Sequence, residues 1–127
     1  MLIITNRKTF FLLIFLVFTL VANAQKDNRS YAEQQLHSAL TDTTQHNVID
    51  NKTAIIKDSL TAINIAESLL FNIYGKDNII RQRPYETYLI DNYWIISGTL
   101  PDGYLGGTFL IIIDARNSRV IRITHGK

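Results

Sequence analysis

Beyond Pro84 the chain falls into short runs of apolar and β-branched residues separated by turn formers, the signature of strands rather than helices. Residues 85–90 and 93–100 flank Asp91-Asn92, two residues that tolerate positive φ, so the pattern predicts a tight hairpin. A two-residue loop sets Leu89 opposite Trp94, Thr87 opposite Ile96 and Tyr85 opposite Gly98, and this is the face expected to meet the core. The other face pairs Ile90 with Tyr93, Tyr88 with Ile95 and Glu86 with Ser97, and is mixed in character. A second hairpin is expected from residues 108–114 and 119–125 around Ala115, Arg116, Asn117 and Ser118. Its four-residue loop sets Asp114 beside Arg119, Ile112 beside Ile121 and Leu110 beside Ile123. Between Leu110 and Ile113 the alternation fails, which predicts a strand covered on both sides.

Upstream the period changes. Ile63, Ala66, Leu70 and Ile73 recur at three- and four-residue spacing, with Thr61, Asn64, Ser68 and Asn72 opposite, so a long amphipathic helix is predicted. Asp58 or Ser59 can accept bonds from its free first-turn N–H groups, and Gly75 can end it in the left-handed conformation. Ala62, Ile65, Leu69 and Phe71 widen the apolar arc. Ala54, Ile55 and Ile56 read as an edge strand or the entry to the helix, and Ile79 with Ile80 as the start of a further strand. Tyr31, Ala32, Leu36, Ala39 and Leu40 suggest a short helix over 30–40 capped by Ser30. The polar stretch that follows, up to residue 52, has no periodic apolar face and reads as a flexible linker.

The N-terminus carries its own message. Arg7 and Lys8 form a positive n-region, residues 10–21 are apolar apart from Thr19, and Ala22-Asn23-Ala24 fits the small-x-small pattern of a cleavage site before Gln25. The uncharged stretch 9–25 falls short of the roughly 20 apolar residues that a spanning helix needs. The expected organisation is a signal peptide over 1–24, a short helix and linker over 25–52, and one folded domain over 53–127. The expected location is periplasmic or secreted, with no stable membrane insertion after cleavage.

Charge and cysteine content narrow the function. The 127 residues hold 13 Lys and Arg against 11 Asp and Glu. Removal of Arg7 and Lys8 with the signal leaves a neutral mature chain, so nucleic-acid binding loses its electrostatic basis. No cysteine is present, which excludes disulfides, thiolate zinc sites and cysteine nucleophiles.

Candidate chemistry is sparse. His37, His46 and His125 have no second ligand at metal-binding spacing, so neither a metal nor a cofactor is expected. Asp102 could be paired with Glu86 or Asp91 as acid and base, but Pro101-Asp102-Gly103 is a turn signature and Asp91 belongs to a hairpin loop. Ser97 and Ser118 lack a neighbouring histidine. Gly103, Gly106 and Gly107 lack the lysine and the strand–loop–helix setting of a phosphate loop. Arg81, Arg83, Tyr85 and Tyr88 form a weak basic and aromatic group that neutrality argues against as a nucleic-acid site. The residues by themselves describe a small exported α+β domain without a reaction.

Ala66-Glu67, Ile73-Tyr74-Gly75, Arg83-Pro84-Tyr85, Trp94 with Gly98-Thr99-Leu100-Pro101, the pair Gly106-Gly107 and the terminal His125-Gly126-Lys127 occur in an order that resembles the NTF2 fold immunity family, also labelled YbbC/YhhH-like, of bacterial polymorphic toxin systems. The resemblance implies an α+β, NTF2-like fold, with one long helix packed on a curved antiparallel sheet of three to five strands. It also implies a non-catalytic protein that binds and neutralises a cognate toxin. Asp102, Tyr104, His125 and Lys127 are the candidate partner-binding residues, expected on one accessible rim. A PepSY-like envelope module and an NTF2-like small-molecule binder are the alternatives.

Overall fold

The computed structural model describes residues 6–126, the side chains of 17–27 apart. Its contacts divide the chain between His46 and Asn47 into two units.

The first unit is built on helix α1, Arg7–Thr41, capped by Asn6, whose side chain accepts from the Lys8 N–H. The short helix expected over 30–40 is the last part of this longer one, and Ser30 lies inside it rather than at its cap. The reason is the lack of any breaker: no glycine or proline occurs between Arg7 and Thr41, so helical bonding runs on through the polar middle. The helix ends where the Asp42 N–H donates to the Ser38 carbonyl at 2.8 Å and the Asp42 side chain turns to accept from Thr44. The apolar side chains from Phe10 to Leu16 are exposed.

The second unit begins with an irregular lead-in. The Asp50 side chain accepts from the Lys52 and Thr53 N–H groups, and the Asn117 amide reaches Asn51 Oδ1 at 2.8 Å. Ile55 and Ile56 both donate to the Ala115 carbonyl, at 2.8 and 3.0 Å, which anchors the entry to the long helix without adding a strand. Helix α2, Ser59–Tyr74, starts at Asp58, which accepts from the Thr61 N–H at 2.8 Å, and stops at Gly75 with φ 85°. Its buried stripe is Ala62, Ala66 and Leu70, a strict four-residue spacing, so Ile73 falls outside it and is half exposed. Small residues at two of the three positions let the helix lie close to strand β2, Tyr93–Ser97.

Ile79 and Ile80 do not open a strand. They close a short helix α3, Lys76–Ile80, which places Ile79 wholly inside the core. The sheet follows as a four-stranded antiparallel meander, β1 (Glu86–Ile90), β2, β3 (Phe109–Asp114) and β4 (Val120–His125), in sequential order. The fold is therefore α+β and NTF2-like, with strand number in the expected range. Asp91 and Asn92 both adopt positive φ, 48° and 65°, and the first hairpin has the expected register, Leu89 opposite Trp94 and Thr87 opposite Ile96.

The second hairpin departs from expectation. Near the turn the Asp114 N–H bonds the Arg119 carbonyl at 2.8 Å, as a four-residue loop requires. A β-bulge then shifts the register, so Ile112 faces Arg122 and Ile111 faces Ile123, instead of Ile112 meeting Ile121 and Leu110 meeting Ile123. The extra residue turns Ile123 toward the core face and leaves Ile121 half exposed. Asp114 also finds a different charge partner. Its carboxylate takes both Nε and Nη2 of Arg116, at 2.9 and 2.7 Å, while Arg116 Nη2 also reaches the Tyr93 hydroxyl at 3.0 Å. The bonds from Arg116 hold the Asp114 carboxyl below the usual carboxylate range, and the guanidinium is raised in return.

The core gathers Ile56, Leu70, Ile79, Trp94, Ile96, Phe109, Ile111 and Ile113 with the alanines of α2. Trp94 is 6% exposed and its indole N–H donates to the Ile56 carbonyl at 3.0 Å. The unbroken apolar run in β3 buries Phe109, Ile111 and Ile113 completely, whereas Leu110 and Ile112, on the other face, are only half buried within this unit.

Candidate functional site

A cleft of about 290 Å³ opens between the end of α3 and the β2–β3 loop, lined by Asn78, Arg81, Gln82, Leu100, Pro101 and Tyr104 through Gly107. The loop is shaped by the Pro-Asp-Gly turn read in the sequence: the Tyr104 N–H donates to the Pro101 carbonyl at 3.1 Å, and Gly103 takes φ 84°. This turn throws Tyr104 and Leu105 outward. Leu105 is fully exposed, Tyr104 largely so and Leu100 in part. Three apolar side chains thus stand in water along one mouth, with the exposed Arg81 on the opposite wall.

Gln82 forms the floor and fixes the walls. It is 4% exposed, yet every polar atom of its side chain is engaged. Oε1 accepts from the Phe109 N–H at 2.9 Å, Nε2 donates to the Asn78 carbonyl at 3.3 Å, and Nε2 lies 3.2 Å from His125 Nε2. Its main-chain carbonyl takes the Thr99 N–H at 2.8 Å. One buried amide therefore ties α3 to the ends of β3 and β4, which offsets its desolvation. Gly98 makes this fit possible, since a Cβ there would collide with the Gln82 side chain. Gly107 plays the same part at the strand ends, where a Cβ would fall on the Gly126 backbone.

The four candidate residues divide among different settings. Tyr104 lines the cleft, and Asp102 is exposed at the turn beside it. His125 is half buried behind the floor, its ring 5.1 Å from that of Tyr74 and its Nδ1 2.8 Å from the Gly126 carbonyl. The Gln82 amide thus faces Nε2 and the Gly126 carbonyl faces Nδ1, so both ring nitrogens have a partner. Lys127 lies outside the described residues. Sequence reading missed Gln82 and Leu105, and placed Arg81 in a different group: a glutamine becomes a keystone only through long-range partners that no local pattern reveals.

The basic and aromatic group dissolves on folding. Arg83 bonds Glu67 through Nε at 2.9 Å and also through Nη2, and the Tyr85 hydroxyl donates to the same Glu67 oxygen at 2.7 Å. Burial, with the bond to Glu67 second, pushes the Tyr85 phenol up to about 12. Among the described residues no group of three metal-ligating side chains forms, and no histidine bonds a carboxylate. What the cleft offers is shape, the exposed Arg81, which has no side-chain partner among the described residues, and exposed apolar side chains.

A helix laid on an antiparallel meander, with a cleft at one end, defines a small α+β domain of NTF2-like fold. The model of the NTF2 fold immunity protein family matches residues 61–127, and the chain belongs to that family. It is 32% identical over 74 residues to the uncharacterized protein YhhH of Escherichia coli (strain K12), a match covering 58% of each chain. It is 30% identical over 73 residues to the uncharacterized protein YbbC of the same strain, covering 57% of this chain and 60% of that one. The matched stretch thus spans less than two thirds of either relative. No solved structure matches the chain.

Proposed function

We propose that the chain is an exported immunity protein that neutralises a cognate bacterial toxin by stoichiometric binding rather than by catalysis. The observation that carries this reading is the cluster of Leu100, Tyr104 and Leu105 exposed on a single loop of an immunity-family domain. Such residues cost solubility unless a partner covers them, and aromatic and aliphatic anchors of this kind dominate binding energy in protein interfaces. Asp102 sits on the same loop as Tyr104, and both are assigned to the interface; His125 and Lys127 are proposed for its rim on their place in the sequence alone. Export rests on the basic, apolar and small-x-small succession of residues 7–24.

A cleft near 290 Å³ is at the small end of pockets that enclose a small molecule, which favours contact with a protein surface over a ligand cavity. The test is co-expression with any toxin domain that a neighbouring open reading frame encodes, followed by calorimetry of the purified pair. Protection and a one-to-one complex are expected, with Leu105→Asp or Tyr104→Ala weakening binding by about 2 kcal/mol or more at unchanged melting temperature. Absence of both protection and complex refutes the immunity reading for that pair. Secreted material beginning at Gln25 is the expected outcome of N-terminal sequencing.

A further inference from the structure

The two edges of the sheet are treated very differently. β4 carries the bulge together with Arg119 and Arg122, devices that discourage another strand from adding. β1 carries neither a bulge nor a basic residue: its sequence is Glu-Thr-Tyr-Leu-Ile, free of proline and lysine with Glu86 its one charge, and among the described residues no other strand pairs with its outer side. Tyr88, Leu89 and Ile90 on it are 56%, 50% and 56% exposed.

The direction of its free hydrogen bonds follows from the rest of the sheet. Gly98 donates to the Phe109 carbonyl and Ala115 to the Asn92 carbonyl, so the even-numbered residues of β2 bond toward β3 and the odd-numbered ones toward β1. Through the pairs Ile90 with Tyr93, Tyr88 with Ile95 and Glu86 with Ser97, the inward groups of β1 belong to residues 86, 88 and 90. The N–H and C=O of Thr87 and Leu89 therefore point out from the edge, unpaired by any strand.

We infer that β1 is a docking edge for a second copy of this chain, added antiparallel about a two-fold axis at Tyr88. That axis sets Thr87 opposite Leu89 of the second copy and the reverse, so each outward donor meets an outward acceptor in four main-chain bonds. The only charge in the strand, Glu86, falls opposite Ile90 of the second copy. The two carboxylates then stand roughly 14 Å apart, at four residues of about 3.4 Å each, whereas a parallel in-register pairing would set them side by side. Tyr88 meets Tyr88 of the second copy across the axis, and the apolar row of Tyr88, Ile95 and Ile112 continues from one copy into the next. The strand thus complements itself in bonding, charge and apolar surface, and this selects a second copy over an unrelated strand.

The chain has no cysteine, so single substitutions report the geometry directly. At the axis, a pair that does not exchange hydrogen bonds has Cα atoms about 4.5 Å apart, within disulfide reach. Purified full-length Tyr88→Cys is expected to oxidise to a covalent dimer, and Glu86→Cys to form no covalent dimer while associating reversibly like the parent. Sedimentation velocity is expected to show a reversible dimer for the parent chain and at least tenfold weaker association for Tyr88→Lys, with the melting temperature of that variant unchanged. A parent chain that is monomeric at 100 µM overturns the inference. So does a dimer indifferent to Tyr88→Lys, or cross-linking as efficient from position 86 as from position 88.

Discussion

Replacing Trp94 tests the packing argument most directly. The side chain is 6% exposed and, by register, lies between Leu89 and Ile113 on the core face of the sheet. Burying an indole removes on the order of 150–250 Å² from water, a gross ~4–6 kcal/mol at about 25 cal/mol per Å². Truncation to alanine leaves a cavity that neighbours fill only in part, so Trp94→Ala is expected to cost roughly 3–5 kcal/mol. The unit from Asn47 onward has a total stability of roughly 4–12 kcal/mol by its size, and the variant is left near the edge of folding. Trp94→Phe separates the two contributions. It keeps most of the apolar surface but strands the Ile56 carbonyl, which accepts the indole N–H at 3.0 Å, at a cost of about 1–3 kcal/mol. Urea titrations followed by far-ultraviolet circular dichroism measure both variants without depending on the indole's own fluorescence. Melting of Trp94→Ala within two degrees of the parent refutes the reasoning, and equal losses for both variants would assign the effect to the hydrogen bond rather than to burial.

Three further outcomes follow from the same packing. Thr87 Oγ1 is the one buried side-chain oxygen or nitrogen without a partner among the described residues, so Thr87→Val, of the same shape, should raise the urea midpoint by an amount equivalent to about 1 kcal/mol. Gly107→Ala drives a methyl group into the Gly126 backbone and should open the Gly126 to Thr108 bond, seen as faster hydrogen exchange at the Gly126 amide; exchange at the parental rate would show that the strand ends can part freely. The pH limbs have opposite origins. Asp114 is held below its ordinary 3.8, so its contribution is present above that value and is lost as pH falls through the depressed one, a loss that Asp114→Asn should flatten. Tyr85 is raised from 10 to about 12, so its contribution is intact below pH 10 and fades between 10 and 12, with Tyr85→Phe insensitive on that limb; urea midpoints at intervals of one pH unit read both.

Local chemistry made the first hairpin and the long helix legible: two residues tolerant of positive φ, an aspartate cap and a terminating glycine each act within a few positions. Failures came where a distant partner decided. Ile79 and Ile80 have strand-like branching, but burial of Ile79 against the sheet is served equally by one helical turn. The bulge after Val120 was invisible because no residue there is a turn former, and the gain lies in bringing Ile123 across from Ile111. Ile73 obeyed the helical period yet missed the core, since the α2 contact is narrower than its apolar arc. At the candidate site the Pro-Asp-Gly turn announced itself, and Tyr104 was expected with it as part of an accessible rim. Gln82 could not be found in advance, because nothing in its neighbours distinguishes a buried bridging amide from a solvated one.

Sequential strand order carries a kinetic consequence. Every ladder joins neighbours in the chain, so the meander can zip up through short loops, the kind of contact that gives fast folding. The lead-in is different: Ile55 and Ile56 bond Ala115, some sixty positions away, and closing so long a loop costs more chain entropy than any hairpin. Docking of that segment is therefore expected to come late, after the rate-limiting barrier. Lesions at Ile56 should accelerate unfolding while leaving the refolding rate almost untouched, so the clasp at Ala115 governs how long the native state lasts rather than how quickly it is reached.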